Sequence, residues 1–224
     1  MSAFGRAMLD QLAQPNRPVT FRMSLGGLGI NCPCQDFIRV RPEEREIIRQ
    51  SLEGNGHPRV LDIGCGIGRH SSLVRLLSPG AEITVVEADH DLREHTVNAV
   101  AGAVSYEQID FIPPGERFDI VFLLGNGLGI FGTERATRDG LRQIHGMLSE
   151  RGCAIIESGT IDNGEFCEAL HRIEYDGHVD GPFTWGYATR HWLERELAAA
   201  GFTVQSFRHS TRGGPFFIIN ATRG

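Results

Sequence analysis

Apolar and polar positions along this chain follow two alternating rhythms. Short β-branched or aromatic runs at 60–63, 83–86 and 118–124 are continuous enough for strands covered on both faces, and between them apolar residues recur at helical spacing. The pattern predicts helices over 2–14, 42–53, 68–77, 91–101, 133–149 and 189–200. It predicts strands over 60–63, 82–87, 103–109, 118–124, 153–157, 203–209 and 215–222. Seven strands alternating with helices make an α/β protein with a Rossmann-like, doubly wound sheet. Residues 16–36, rich in Gly, Pro and Asn and including Gly26-Gly27, read as loop. The stretch 160–188 is too long and too polar for a minimal connection and is expected to form a wall beside the site. The chain divides into an N-terminal helical and loop segment, 1–57, read as a lid, and a main domain, 58–224.

Chemistry gathers where the strands end. Residues 60–70 run from an apolar strand through Asp62 into Gly64, Cys65, Gly66, Ile67, Gly68 and Arg69. Three close glycines allow a tight turn and near approach of a ligand to backbone N–H groups at a helix N-terminus. Glu87 closes the second strand roughly 20 residues past the glycines, where a ribose-binding carboxylate stands in nucleotide folds. Asp110 follows the third strand and is placed to accept from an adenine amino group. The turn reads G-x-G-x-G, with Arg69 where a dinucleotide fingerprint needs its third glycine, which disfavours NAD.

These residues resemble the first motif and second-strand acid of class I S-adenosylmethionine-dependent methyltransferases, carried here by 61–68 and Glu87. The resemblance extends to bacterial small-molecule methyltransferases over about 58–222. Their fourth strand enters a Gly-Asn-x-Gly-Ile-Gly-Gly-like loop, matched by 124–132, and they carry a later Pro-aromatic-Trp stretch, matched by Pro182, Phe183 and Trp185. Phe131 stands where that group usually has glycine. The resemblance implies S-adenosylmethionine as cosubstrate, with contacts from Asp62, Gly64, Cys65, Gly66, Arg69, Glu87, Ala88, Asp110, Phe111, Gly125 and Asn126. It places Asn126, Tyr175 and Phe131 at the reacting centre, with Phe4, Trp185 and Tyr187 as further rings to follow; His171, His178 and His191 are candidate bases, none singled out. The same fold suits a second chemistry, cyclisation of S-adenosylmethionine to azetidine-2-carboxylate with release of methylthioadenosine. That alternative fits a compact domain with no cap, and a non-catalytic cofactor-binding module is a third reading.

Composition narrows the partners. Among 224 residues, all 22 basic residues are arginine, so Schiff-base and P-loop lysine chemistry is excluded. A net charge of −6 argues against nucleic acid, leaving a small-molecule substrate as the expected partner. Five cysteines without a regular framework suit a reducing, cytoplasmic setting, and no apolar run suggests a membrane. No metal is expected: Cys32 and Cys34 lack a second cysteine pair. Asp162-Asn163 imitates half of a catechol-type Mg²⁺ site whose first acid is here Asn126.

Overall fold

The computed structural model describes residues 1–25, 28–162, 164–211 and 215–224. Gly26 and Gly27, read above as loop, and Asn163, read above as one member of the Asp162-Asn163 pair that imitates a Mg²⁺ site, lie outside them. Two sheets are present. The elements in chain order are α1 (Ala3–Ala13), β1 (Thr20–Leu25), β2 (Leu28–Pro33), α2 (Gln35–Ile38), α3 (Pro42–Leu52), β3 (Arg59–Ile63), α4 (Arg69–Leu77), β4 (Glu82–Val86), α5 (His90–Ala99) and β5 (Val104–Tyr106). They continue as β6 (Phe118–Leu123), α6 (Glu134–Met147), β7 (Leu148–Ser158), β8 (Phe166–Tyr175), β9 (His178–Val179), β10 (Phe183–Ala188), α7 (Arg190–Ala199), β11 (Phe202–His209) and β12 (Phe217–Arg223).

The larger sheet has the order β11-β12-β7-β6-β3-β4-β5, with β3 to β7 parallel and β12 antiparallel between β7 and β11. These are the seven strands expected from the sequence. Alternation along the strands sends Leu61, Val121 and Leu123 to one face, under Leu141 and Ile144 of α6 and Trp192 and Leu193 of α7. Val60, Ile120 and Phe122 face the other way, against Ile47 and Ile48 of α3 and Leu73 and Val74 of α4. Pairing of Ile63 with Val86 brings the ends of β3 and β4 level, so their following residues open on one crevice.

The second sheet runs β10-β8-β1-β2, with β9 on the far end of β8, and is antiparallel throughout. It corrects two expectations. Thr20–Leu25 and Leu28–Pro33, placed above in a loop, are strands: β1 and β2 pair antiparallel, and β1 pairs with β8, Arg22 opposite Glu174. Phe166–Tyr175, His178–Val179 and Phe183–Ala188 are strands that supply the wall expected of 160–188, and the domain, described above as fitting a reading with no cap, carries one. Gly and Pro content concealed β1 and β2, because a strand with a partner far along the chain leaves little local trace.

Helix α1 closes one side of this cap. Ser2 caps it, its Oγ accepting from Gly5 N–H, while its own N–H donates to Asp89 at 2.8 Å. Asp180 receives the Ala3 and Phe4 N–H groups at 2.7 and 3.3 Å. Ala7 and Met8 are buried with Phe21 of β1, Ile173 of β8 and Ile67 of the glycine turn. Of residues 1–57, then, α1, β1, β2 and α2 belong to the cover, whereas α3 packs on the large sheet.

Candidate active site

The crevice between the large sheet and the cap encloses about 340 Å³. Its floor is made by three strand ends. After β3, Gly64 and Gly66 have φ of 69° and 56°, values a side chain would strain, and the Gly64 and Cys65 N–H groups donate to Val86 O. After β4, Glu87 accepts from Gly66 N–H at 2.9 Å and Asp89 N–H at 3.0 Å. Burial pushes the Glu87 carboxyl above its ordinary range, the two N–H groups pull it back, and the charges of Asp89 and Asp62 raise it further. A half-buried carboxylate with acceptor capacity left over suits a pair of hydroxyl donors.

After β6, Gly125 and Asn126 both take positive φ, and their N–H groups converge on Glu157 Oε2 at 2.6 and 3.1 Å. Glu157 lies near the end of β7, fully buried, and receives the Arg41 guanidinium at 2.7 Å. Arg41 also reaches Glu44, which binds Arg69 at 2.9 Å and contacts His70 at 3.3 Å. Burial alone would raise the Glu44 pKa; the His70 hydrogen bond and the charges of His70, Arg69 and Arg41 outweigh it and hold the carboxyl at about 2. This arginine and glutamate chain fixes both the Gly125-Asn126 turn and the start of α4. Asn126 faces the cavity, and its Oδ1 is buried without a hydrogen-bond partner, an acceptor lacking a donor.

The roof is the inner face of the cap. Phe21 and Met23 of β1, His171 and Ile173 of β8, and Phe183, Trp185 and Tyr187 of β10 point into the crevice at every second position. Phe4 and Met8 of α1 and Phe37 of α2 complete it. Trp185 Nε1–H donates to Asn126 O at 3.2 Å, tying roof to floor.

Of the residues expected at the site, Gly64, Cys65, Gly66, Arg69, Glu87, Ala88, Gly125 and Asn126 share the cavity wall, as do Phe4, His171, Trp185 and Tyr187. Asp62 lies beneath, accepting from Ser71 Oγ at 2.6 Å. Asp110 and Phe111 sit outside the wall on a 3-10 turn, because β5 ends after three residues; Asp110 accepts from Gln143, and Phe111 is exposed. Tyr175 and Phe131 are not where a reacting centre requires them. The Tyr175 hydroxyl donates to Asp10 of α1 at 2.9 Å, and the residue is not part of the crevice wall. The ring of Phe131 turns away into space left by Gly140 on α6. His178 is exposed and bonds Asp176 O, and His191 is exposed. The sequence reading missed Phe21, Met23, Phe37 and Phe183 in the roof and Glu44, Arg41 and Glu157 behind the floor. The spacing of 21 and 23, and of 183, 185 and 187, was the available signal.

A parallel sheet with one reversed strand next to its edge, opening on a crevice above a glycine turn and an acid, is the fold of class I S-adenosylmethionine-dependent methyltransferases. Among solved structures, one such enzyme from Bacteroides fragilis in complex with S-adenosyl-L-homocysteine superposes with a TM-score of 0.79 at 18% identity, over 100% of this chain and 95% of that one. An amino pentose methyltransferase of calicheamicin biosynthesis from Micromonospora echinaspora, bound to S-adenosylmethionine, gives 0.59 at 17% identity, over 81% and 89%. The 1,6-didemethyltoxoflavin-N1-methyltransferase of Burkholderia thailandensis gives 0.60 at 19%, over 81% and 77%. No protein-family model and no curated protein sequence matches the chain.

Proposed function

We propose that this protein is an S-adenosylmethionine-dependent methyltransferase acting on a small molecule. The observation that carries the reading is the convergence on one crevice of the glycine turn, the half-buried Glu87 carboxylate and the orphaned Asn126 Oδ1. The neighbours named above, described as methyltransferases and bound to S-adenosylmethionine or its demethylated product, point the same way. Glu87 holds the ribose hydroxyls, and the turn at 64–66 lies beneath the amino-acid tail. Asn126 Oδ1 receives the α-ammonium, which supplies its missing donor. When bound, S-adenosylmethionine supplies an electrophilic methyl on sulfonium. Aromatic faces such as Phe4 and Trp185 favour such a cation by about 0.5–2 kcal/mol each, more where water is excluded. Residues 1–38, with β8 and β10, serve as the cover that excludes water. Catalysis is chiefly positioning for in-line displacement, a source of roughly 7–11 kcal/mol.

The cyclase alternative loses part of its support here. It fits a domain without a cap, and the cap is present; of Phe4, Phe131 and Tyr175, which it used to hold the sulfonium, Phe4 alone lines the crevice, together with Asn126, which it used to orient the amine. Mass spectrometry after incubation with S-adenosylmethionine, alone and with a panel of small acceptors, tests the choice. Methylated acceptor and S-adenosylhomocysteine are expected only when acceptor is present. Methylthioadenosine and a four-membered imino acid formed from cofactor alone would establish the cyclase instead.

A further inference from the structure

The roof of the crevice contains a polar pair for which cofactor binding has no use. His171 on β8 and Tyr187 on β10 are buried, 1% and 7% exposed, and both face the cavity. The Tyr187 hydroxyl lies 3.1 Å from His171 Nε2, and Phe183 stacks on the imidazole with ring centres 5.8 Å apart. Burial holds the imidazole below its ordinary 6.5, against the Ser24 backbone, which favours the protonated ring. The ring is therefore neutral near pH 7 and able to receive a proton.

The charges of the wall restrict what lies beside this pair. Arg69 donates to Glu44 and to the Asp36 and Arg39 carbonyls, and His70 lies against Glu44 and Arg69. Asp180 is spent on the first turn of α1. Glu87, on the floor after β4, is assigned to the ribose hydroxyls and shares its carboxylate with the Gly66 and Asp89 N–H groups. A charged acceptor under the roof would be desolvated without a dedicated counter-ion, which is costly. The surrounding rings and Met23 favour a flat, apolar body.

Resting on the methyl-transfer reading, we propose that Tyr187 and His171 form a proton relay for the acceptor, and that the acceptor is a small, uncharged, flat molecule bearing a weakly acidic O–H or N–H. In the step, the acceptor heteroatom forms a bond to the methyl carbon as the carbon–sulfur bond breaks and its electron pair stays on sulfur. The acceptor proton passes to Tyr187 Oη while the Tyr187 proton passes to His171 Nε2. Methylated acceptor, neutral thioether and imidazolium account for every atom and charge. Besides Tyr187 and the Ser24 backbone, the ionisable groups of the same cavity wall are Glu87, Cys65, Arg69, His70 and Asp180.

The test loads the protein with sinefungin, in which an ammonium replaces the sulfonium methyl, and adds 4-nitrophenol, whose phenolate is read by visible absorbance. Bound nitrophenol is expected to show phenolate absorbance at lower pH than free nitrophenol, its proton being kept in the site on His171 Nε2 so that phenolate and imidazolium together carry no net charge. H171Q and Y187F should each raise that ionisation pH by about one or more, a tenfold change, with sinefungin affinity within about twofold of the parent. Y187F keeps the ring and its packing, so the question stays answerable where H171Q does not fold. Size-matched 4-nitrobenzoate and 4-nitrobenzylamine should bind at least about tenfold more weakly. Failure of sinefungin to bind overturns the methyl-transfer reading and the relay with it. With sinefungin bound, nitrophenol that does not bind, an ionisation unmoved by either substitution, or tighter binding of a charged analogue overturns the relay alone.

Discussion

Two glutamates on the floor of the crevice, Glu157 buried and Glu87 half-buried, show how similar side chains acquire different tasks from their partners. Glu87 is met by two backbone N–H groups and no cation, so it keeps acceptor capacity for a ligand. Glu157 is met by Arg41, Ser210 and the Gly125 and Asn126 N–H groups, so it is saturated and serves to hold a turn. Removing Glu87 should therefore act on ligand binding: Glu87→Ala is expected to weaken S-adenosylmethionine at least tenfold, about 1.4 kcal/mol, by calorimetry. Affinity unchanged by that substitution would contradict the ribose assignment. Glu87 was readable from sequence because an acid closing a β-branched run is a local pattern. The partners of Glu157 were not, since Arg41 lies in a segment whose approach to β7 only the fold reveals. Phe131 misled for a related reason: its place in the loop was right, but the absence of a side chain at Gly140 decides where its ring goes.

The parallel strands were legible for the same local reason, each being a short apolar run followed by Gly, Asp or Glu. The cap strands were not. The inward positions of β1 and β10 alternate, yet β1 acquires its partner only when β8, from far along the chain, lies alongside. Helix α3 is tied to the start of α4 through Glu44. Its carboxyl, held at about 2 against an ordinary 4.5, adds stability that is complete above pH 4.5 and is lost as pH falls toward 2, because the unfolded chain takes up that proton first. Glu87, shifted upward, acts in the opposite sense and above pH 4.5, so the two windows separate. Urea unfolding should accordingly show a loss of about 3 kcal/mol between pH 5 and pH 2 that Glu44→Gln largely removes, the variant starting from lower stability at pH 7. A parent curve flat over that range would contradict the role given to Glu44. For α1, the Asp180 cap is the accessible lever: Asp180→Ala should cost about 1 kcal/mol of helix anchoring and speed release of S-adenosylhomocysteine several-fold in stopped flow. An unchanged release rate would show that α1 does not retain the ligand.

Across the whole molecule, an α/β sheet supplies a rigid floor and an antiparallel sheet that joins the N-terminal β1 and β2 to β8, β9 and β10 supplies an apolar roof, with α1 packed along one side. Among the described residues no helix is long and apolar enough to cross a membrane. All of the function argued above depends on one occupant of the space between the layers. Calorimetry with S-adenosylmethionine, and separately with NAD, tests that occupant most directly. One site per chain for S-adenosylmethionine, with a dissociation constant on the order of 1–100 µM, and no heat from NAD are the expected result; silence toward S-adenosylmethionine at millimolar concentration, or saturable binding of NAD, would contradict it.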